Sequence, residues 1–267
     1  MESMKTNTFS VLITDCLDDN AKGRQLARLA TLVPSPVAFI GVRSDLEAAG
    51  NLVDALDAGF GSEGTVLVNV APRNGVQGKW ENGTPFGYFW YQKTLVISTI
   101  DGLVLSLVKK LDIARSIQVL DIPSIVEIMY KHGMVNKDEK TLISKTQFRS
   151  FEFLPRVAAL LLAEKNLPAK EFSLRTVSDA PNAIWWIDNF GNCKTTLLRE
   201  DVVSGDDGKV TLAVGSFPLT EHLRDVVDGE RALTEGSSGI LQKRFLEIIV
   251  QGNDGAAELN LYSGMEL

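Results

Sequence analysis

Apolar runs alternate with helix-like stretches through the first hundred residues, and this alternation limits the fold more than any other feature. The runs stand at 10–14 (SVLIT), 37–42 (VAFIGV), 65–70 (TVLVNV) and 95–99 (LVIST). They are continuous rather than alternating, as in strands buried on both faces. Between them, 20–32 carries Leu26, Leu29, Ala30 and Leu32 at helical spacing before Pro34 and Pro36, and 45–56 starts at Asp45, an N-cap residue type, with Glu47 in its first turn. A further helix is expected over 103–111. Strand, helix, strand, helix, strand predicts a mostly parallel sheet with covering helices.

The texture changes past the middle of the chain. A helix over 152–165, with Pro155 tolerated in its first turn, runs into a linker at 166–169. Short strand-like segments follow at 182–188, 194–198, 209–214 and 245–251, divided by the turn signals SGDDG and GNDG. The expectation is an α/β domain over residues 1–166 and a small, antiparallel, all-β domain over 170–267.

A net charge of −7 argues against nucleic acid or an anionic membrane as the main partner, since both select basic surfaces. The opening residues lack a signal-peptide pattern, and no segment approaches the roughly 20 apolar residues that span a bilayer. A cytoplasmic location is the expectation. The two cysteines, Cys16 and Cys193, suggest no disulfide framework, and His132 and His222 lack the companions of a metal site, so none is expected.

Three stretches carry candidate chemistry. Asp15 directly follows the first strand, where a carboxylate can accept both hydroxyls of a ribose or simply cap the next helix. In AIWWIDNFGNCKTTLL (183–198), Asp188, Asn189, Gly191 and Asn192 are hairpin residues, while Phe190 places an aromatic ring at the turn, against a core edge or the face of a base. In the GNDG turn, Gly252, Asn253 and Gly255 either form an ordinary turn or let backbone groups approach a ligand.

Taken in order, LITD (12–15), GTVLVNVAP (64–72), DGLVLSLV (101–108), IDNFGNCKTT (187–196), SSG (237–239) and LEIIVQGNDGAAEL (246–259) resemble the S-adenosylmethionine hydroxide adenosyltransferases, relatives of the fluorinase and chlorinase enzymes. The resemblance implies an α/β N-terminal domain, a barrel-like C-terminal domain and a homotrimer with nucleoside sites at subunit interfaces. It implies S-adenosylmethionine as substrate or ligand, no cofactor, and attack of water on the 5′ carbon to give adenosine and methionine. Carried over, Asp15 would hold the ribose, Phe190 would flank the adenosine, and Asn192 and Asn253 would meet the base. Asp188 would pair with the methionine ammonium, and Ser237 would meet the methionine carboxylate.

The chain departs from the family where water is handled. The hydrolases carry an Asp-Arg-His set. Its aspartate position is Ala71 here, its arginine falls near Gly78, and its histidine segment reads Phe148-Arg149-Ser150-Phe151-Glu152. Arg73, Asp101, Arg149 and Glu152 are the remaining candidates for ordering a water. Two readings follow: an enzyme with displaced chemistry, or a catalytically impaired binder of S-adenosylmethionine or adenosine, with a vestigial trimeric scaffold behind them. Cys16 and Cys193, each next to a candidate ligand residue, are either small buried hydrophobes or thiols able to attack an activated carbon.

Overall fold

The computed structural model describes residues 9–71, 84–146, 148–164 and 167–267. The chain divides into two compact units, Met1–Ser178 and Asp179–Leu267.

In the first unit the order is β1 (Phe9–Thr14), α1 (Asp19–Ala30), β2 (Val37–Gly41), α2 (Asp45–Ala58), β3 (Gly64–Asn69), β4 (Phe86–Tyr91) and β5 (Thr94–Thr99). Then come α3 (Ser106–Lys110), β6 (Ser116–Leu120), α4 (Ile122–Lys131), α5 (Lys137–Lys145), α6 (Arg149–Glu152), α7 (Leu154–Glu164) and β7 (Ala169–Ser173). Seven strands form one sheet in the order β2-β1-β3-β5-β4-β6-β7. The first four run parallel, and β4, β6 and β7 are joined antiparallel. Leu12, Leu67, Leu95 and Ile97 face a core built with Leu29 of α1, Ile125 and Met129 of α4, and Val157 and Leu161 of α7. The alternate residues Val11, Ile13, Val66 and Val68 are buried as well, with α2 packed on β1 and β3. Burial on both faces is why these strands read as continuous apolar runs.

Local signals moved some boundaries. Ser44, rather than Asp45, caps α2, its hydroxyl accepting from the Glu47 amide at 3.1 Å. Both residue types make good caps, and the one in extended conformation takes the role. α1 begins at Asp19 behind the cap Asp18 and ends at Ala30, before the prolines. Only Ser106–Lys110 of the expected helix over 103–111 is α-helical, because the chain turns through Gly102 at φ +65°. The expected linker leads into β7, which pairs with β6 from Leu120↔Ala169 to Ser116↔Ser173 and so belongs to the first sheet.

The second unit comprises β8 (Ile184–Ile187), β9 (Cys193–Leu198), β10 (Lys209–Leu212), β11 (Gly215–Thr220), β12 (Arg231–Ile240), β13 (Lys243–Val250) and α8 (Gly255–Leu259). They form an all-β, barrel-like domain from one six-stranded sheet, β10-β11-β12-β13-β9-β8, with α8 against β13. The sheet is not wholly antiparallel: β11 and β12 run parallel through Leu219↔Leu233 and Thr220↔Thr234. The segment expected as one strand over 209–214 turns at 213–214, so that β10 pairs with β11. Its core gathers Ile184, Cys193, Leu197, Phe217, Leu233, Leu246 and Ile248.

Candidate functional site

Chain order places a crevice in the first unit. From β1 the chain crosses to β2 on one side, then returns through α2 to β3 on the other. The carboxyl ends of β1 and β3 therefore flank a topological switch point, where open α/β sheets bind ligands. Asp15 stands there, half-buried, with its Oδ2 accepting from the Ala71 amide at 3.3 Å. Its Oδ1 lies 3.8 Å from the Cys16 thiol.

The strand ends around Asp15 are tied together. Asn69 Nδ2 donates to Thr14 Oγ1 at 3.3 Å, and the same oxygen accepts from the Cys16 amide at 3.2 Å. The Thr99 hydroxyl donates to the Val70 carbonyl at 2.9 Å and accepts from the Val70 amide at 3.4 Å. Thr14, Asn69 and Thr99 each close an apolar parallel strand with a polar side chain. That signal was present in the sequence, and reading for titratable groups passed over it.

The candidates for ordering water fare differently. Arg73 lies outside the described residues. Asp101 accepts from the Gly102 amide at 3.2 Å, within its own turn. Glu152 belongs to an ion-pair network, 3.2 Å from Arg156 and 3.9 Å from Arg28, while Arg156 also meets Glu139 at 3.1 Å. Arg149, at the family's histidine position, has its guanidinium pulled below the usual range by burial. Ala71 and Phe148 are both exposed.

In the second unit, three of the candidate residues stand on the β8–β9 hairpin. Asp188 Oδ1 accepts from the Phe190 amide at 2.8 Å and the Asn192 amide at 3.0 Å, and Oδ2 accepts from Asn192 Nδ2 at 3.1 Å. One carboxylate thereby organises the whole turn and holds the Asn192 carboxamide by its nitrogen, leaving the carboxamide oxygen to other donors. Phe190 is 69% exposed at the tip. Gly191 adopts φ +82°, and a Cβ there would fall 2.1 Å from Asp254 Oδ1. Its carbonyl accepts from the Ala256 amide at 2.9 Å, which docks the hairpin on the start of α8. The hairpin and the GNDG turn, distant in sequence, thus form one surface that includes exposed Asn253.

Ser237 is exposed on a β12 bulge, its carbonyl accepting from Arg244 at 3.1 Å. Its neighbour Ser238 is buried and meets Lys194 Nζ at 2.7 Å. Lys194 stands opposite Glu247 in register and 5.8 Å from the Trp185 ring centroid. Ser238, Lys194 and Glu247 lie within the motifs quoted above but were not singled out, because their juxtaposition comes from strand pairing. Cys193 is fully buried, and its thiol is pushed up to about 12, first by burial and then by Asp254, Asp188 and Glu247. It is a packed hydrophobe, and the three carboxylates give this end of the sheet a negative field. Among the described residues, no three His, Cys, Asp or Glu are grouped to hold a metal ion, and no helix is long and apolar enough to cross a membrane.

Residues 182–267 match the family model of the SAM hydroxide adenosyltransferase C-terminal domain, a span that includes the hairpin, the SSG turn and the GNDG turn. Over these residues the chain is similar to that family. The match bears out the resemblance read from the motifs taken in order, three of which lie within it. No curated protein matches the chain. An uncharacterized conserved protein from Thermotoga maritima has a similar fold, with TM-score 0.64 and 18% identity over 96% of this chain and 97% of that one. So does a conserved hypothetical protein from Thermus thermophilus, with TM-score 0.59 and 20% identity over 97% of each chain. At such identities the likeness shows the fold alone. It extends beyond residues 182–267 to almost the whole chain.

Proposed function

We propose that this protein binds S-adenosylmethionine and hydrolyses it to adenosine and methionine by in-line attack of water on the 5′ carbon. The observation that carries the reading is the β8–β9 hairpin, where Asp188 orders Asn192 and leaves Phe190 bare at the tip. Asn192 would meet the base, and the exposed ring would lie against the flat nucleoside. The negative field of Asp188, Asp254 and Glu247 suits a ligand carrying both an ammonium and a sulfonium. In the reaction the water oxygen bonds to C5′ while the C5′–S electron pair leaves on sulfur as a neutral thioether. The proton of the attacking water passes to solvent. Because the leaving group is already activated, orientation and exclusion of bulk water supply most of the rate. Asp15 would hold the ribose hydroxyls, Ser237 the methionine carboxylate, and Asn253 the adenine edge. The assembly proposed is a homotrimer, in which the N-terminal unit of one subunit faces the C-terminal unit of the next.

A second reading is favoured by Ala71, which cannot titrate, and by Glu152, which is committed to ion pairs. In it the protein is an S-adenosylmethionine or adenosine binder that does not turn its ligand over. Chromatography of protein incubated with S-adenosylmethionine separates the two. The proposed hydrolysis gives adenosine in proportion to protein, abolished by Asp15→Ala. Calorimetric binding without adenosine supports the binder, and absence of both removes the ligand assignment.

A further inference from the structure

At the other end of β9 from the hairpin, the second unit opens a cleft of about 560 Å³. Its lining includes Arg199, Glu221, His222 and Glu235, with Leu219 and Leu246 as apolar surface. Leu246 lies opposite Glu235 across β12 and β13, while Arg199 directly follows β9 on the far side of β13. The cleft therefore spans several strands, with a buried leucine between a carboxylate and a guanidinium.

The four ionisable groups leave one another unneutralised. Among the described residues, Glu221, His222 and Glu235 make no side-chain hydrogen bond or ion pair, and Arg199 makes one long contact, 3.5 Å to the Val202 carbonyl. Thr220, which also lines the cleft, has a buried hydroxyl with no hydrogen-bond partner. Beside it in register, the buried Thr234 hydroxyl is in the same condition. Buried hydroxyls ordinarily find partners, so the Thr220 hydroxyl at the cleft points to a polar group supplied from outside.

We propose that this cleft binds a small zwitterion, an α-amino acid with an apolar side chain, separately from the nucleoside site. Arg199 and His222 take the carboxylate, Glu235 takes the ammonium, and the side chain lies on Leu246 and Leu219. Phosphate or another plain anion is disfavoured by Glu221 and Glu235, and a polyamine by Arg199. Only a ligand of both signs answers the whole lining. The volume accommodates an amino acid together with ordered water.

The test is calorimetric titration of the full-length protein with L-leucine, which is no part of the proposed hydrolysis. Wild type should bind it saturably. Arg199→Ala and Glu235→Gln should each weaken binding by about tenfold or more while leaving the melting temperature unchanged. Asp188→Ala, in the hairpin, should leave L-leucine binding intact. 4-Methylpentanoate, lacking the ammonium, and 3-methylbutylamine, lacking the carboxylate, should each bind more weakly than L-leucine. The proposal is overturned if L-leucine does not bind at millimolar concentration, or if either single-charge analogue binds as well. It is equally overturned if neither cleft variant weakens binding, or if Asp188→Ala abolishes it.

Discussion

Asp188 and Cys193 are five residues apart and meet different surroundings. Asp188 accepts three hydrogen bonds from its own turn. Cys193 is sealed behind it in a core, near three carboxylates that oppose a thiolate, and its thiol is raised from an ordinary 9.0 to about 12. The folded protein therefore holds this proton through a pH window in which the unfolded chain has released it. Above pH 9 the unfolded state gains the favourable ionisation and the folded state does not, so stability falls as pH rises. The contribution to the slope is about 1.4 kcal/mol per pH unit. Urea titrations across this window should show a shallower fall for Cys193→Ala, from a lower starting stability, than for wild type. Equal slopes would mean that Cys193 is not held protonated.

Among the helices, α6 is only four residues long and survives by what it touches. Its Phe151 ring lies against two guanidiniums of α1, with Arg24 at 4.5 Å and Arg28 at 4.6 Å from the centroid. Its Glu152 meets Arg28 of α1 and Arg156 of α7, and Arg156 extends the network to Glu139 in α5. Arg156 is 4% exposed, so its removal leaves the largely buried Glu152 without its nearer cation and opens a space among the helices. Arg156→Ala should cost about 3 kcal/mol of stability, read by chemical denaturation. Glu152→Gln should lower the melting temperature yet leave the rate of adenosine release per folded protein unchanged, because this carboxylate holds helices together. Loss of release in a stably folded Glu152→Gln variant would return that residue to the list of water-ordering groups.

For the whole molecule, the proposed trimer makes each nucleoside site from two chains, Asp15 coming from one and Asp188 from its neighbour. Asp15→Ala and Asp188→Ala proteins should each be inactive alone. When co-refolded in equal amounts, random mixing in a cyclic trimer should restore about a quarter of the wild-type sites. A site built within a single chain would gain nothing from mixing, so zero recovery in confirmed mixed trimers would remove the interface assignment. The same preparations, examined by analytical ultracentrifugation, would show whether three copies associate.

Much of this protein was determined by local chemistry that its sequence displays. Continuous apolar runs ending at Asp15 and Ala71 required a buried parallel sheet, since strands covered on both faces cannot alternate. Asp188, Gly191 and Asn192 specified their hairpin because the short-range bonds that build it are made by the hairpin itself. What only the tertiary structure decided involves partners far apart in the chain. β7 joined the first sheet through pairing with β6, and β12, with a pattern broken by its bulge, was not legible as a strand. Glu152 met arginines from two other helices, and Cys193 was enclosed by the core that closed over it. The Asp15 carboxylate met the amide of Ala71, and the Gly191 carbonyl met that of Ala256, only when separate segments were brought side by side. A residue's type limits what it can donate, accept or titrate; its long-range neighbours determine which of those capacities remain open.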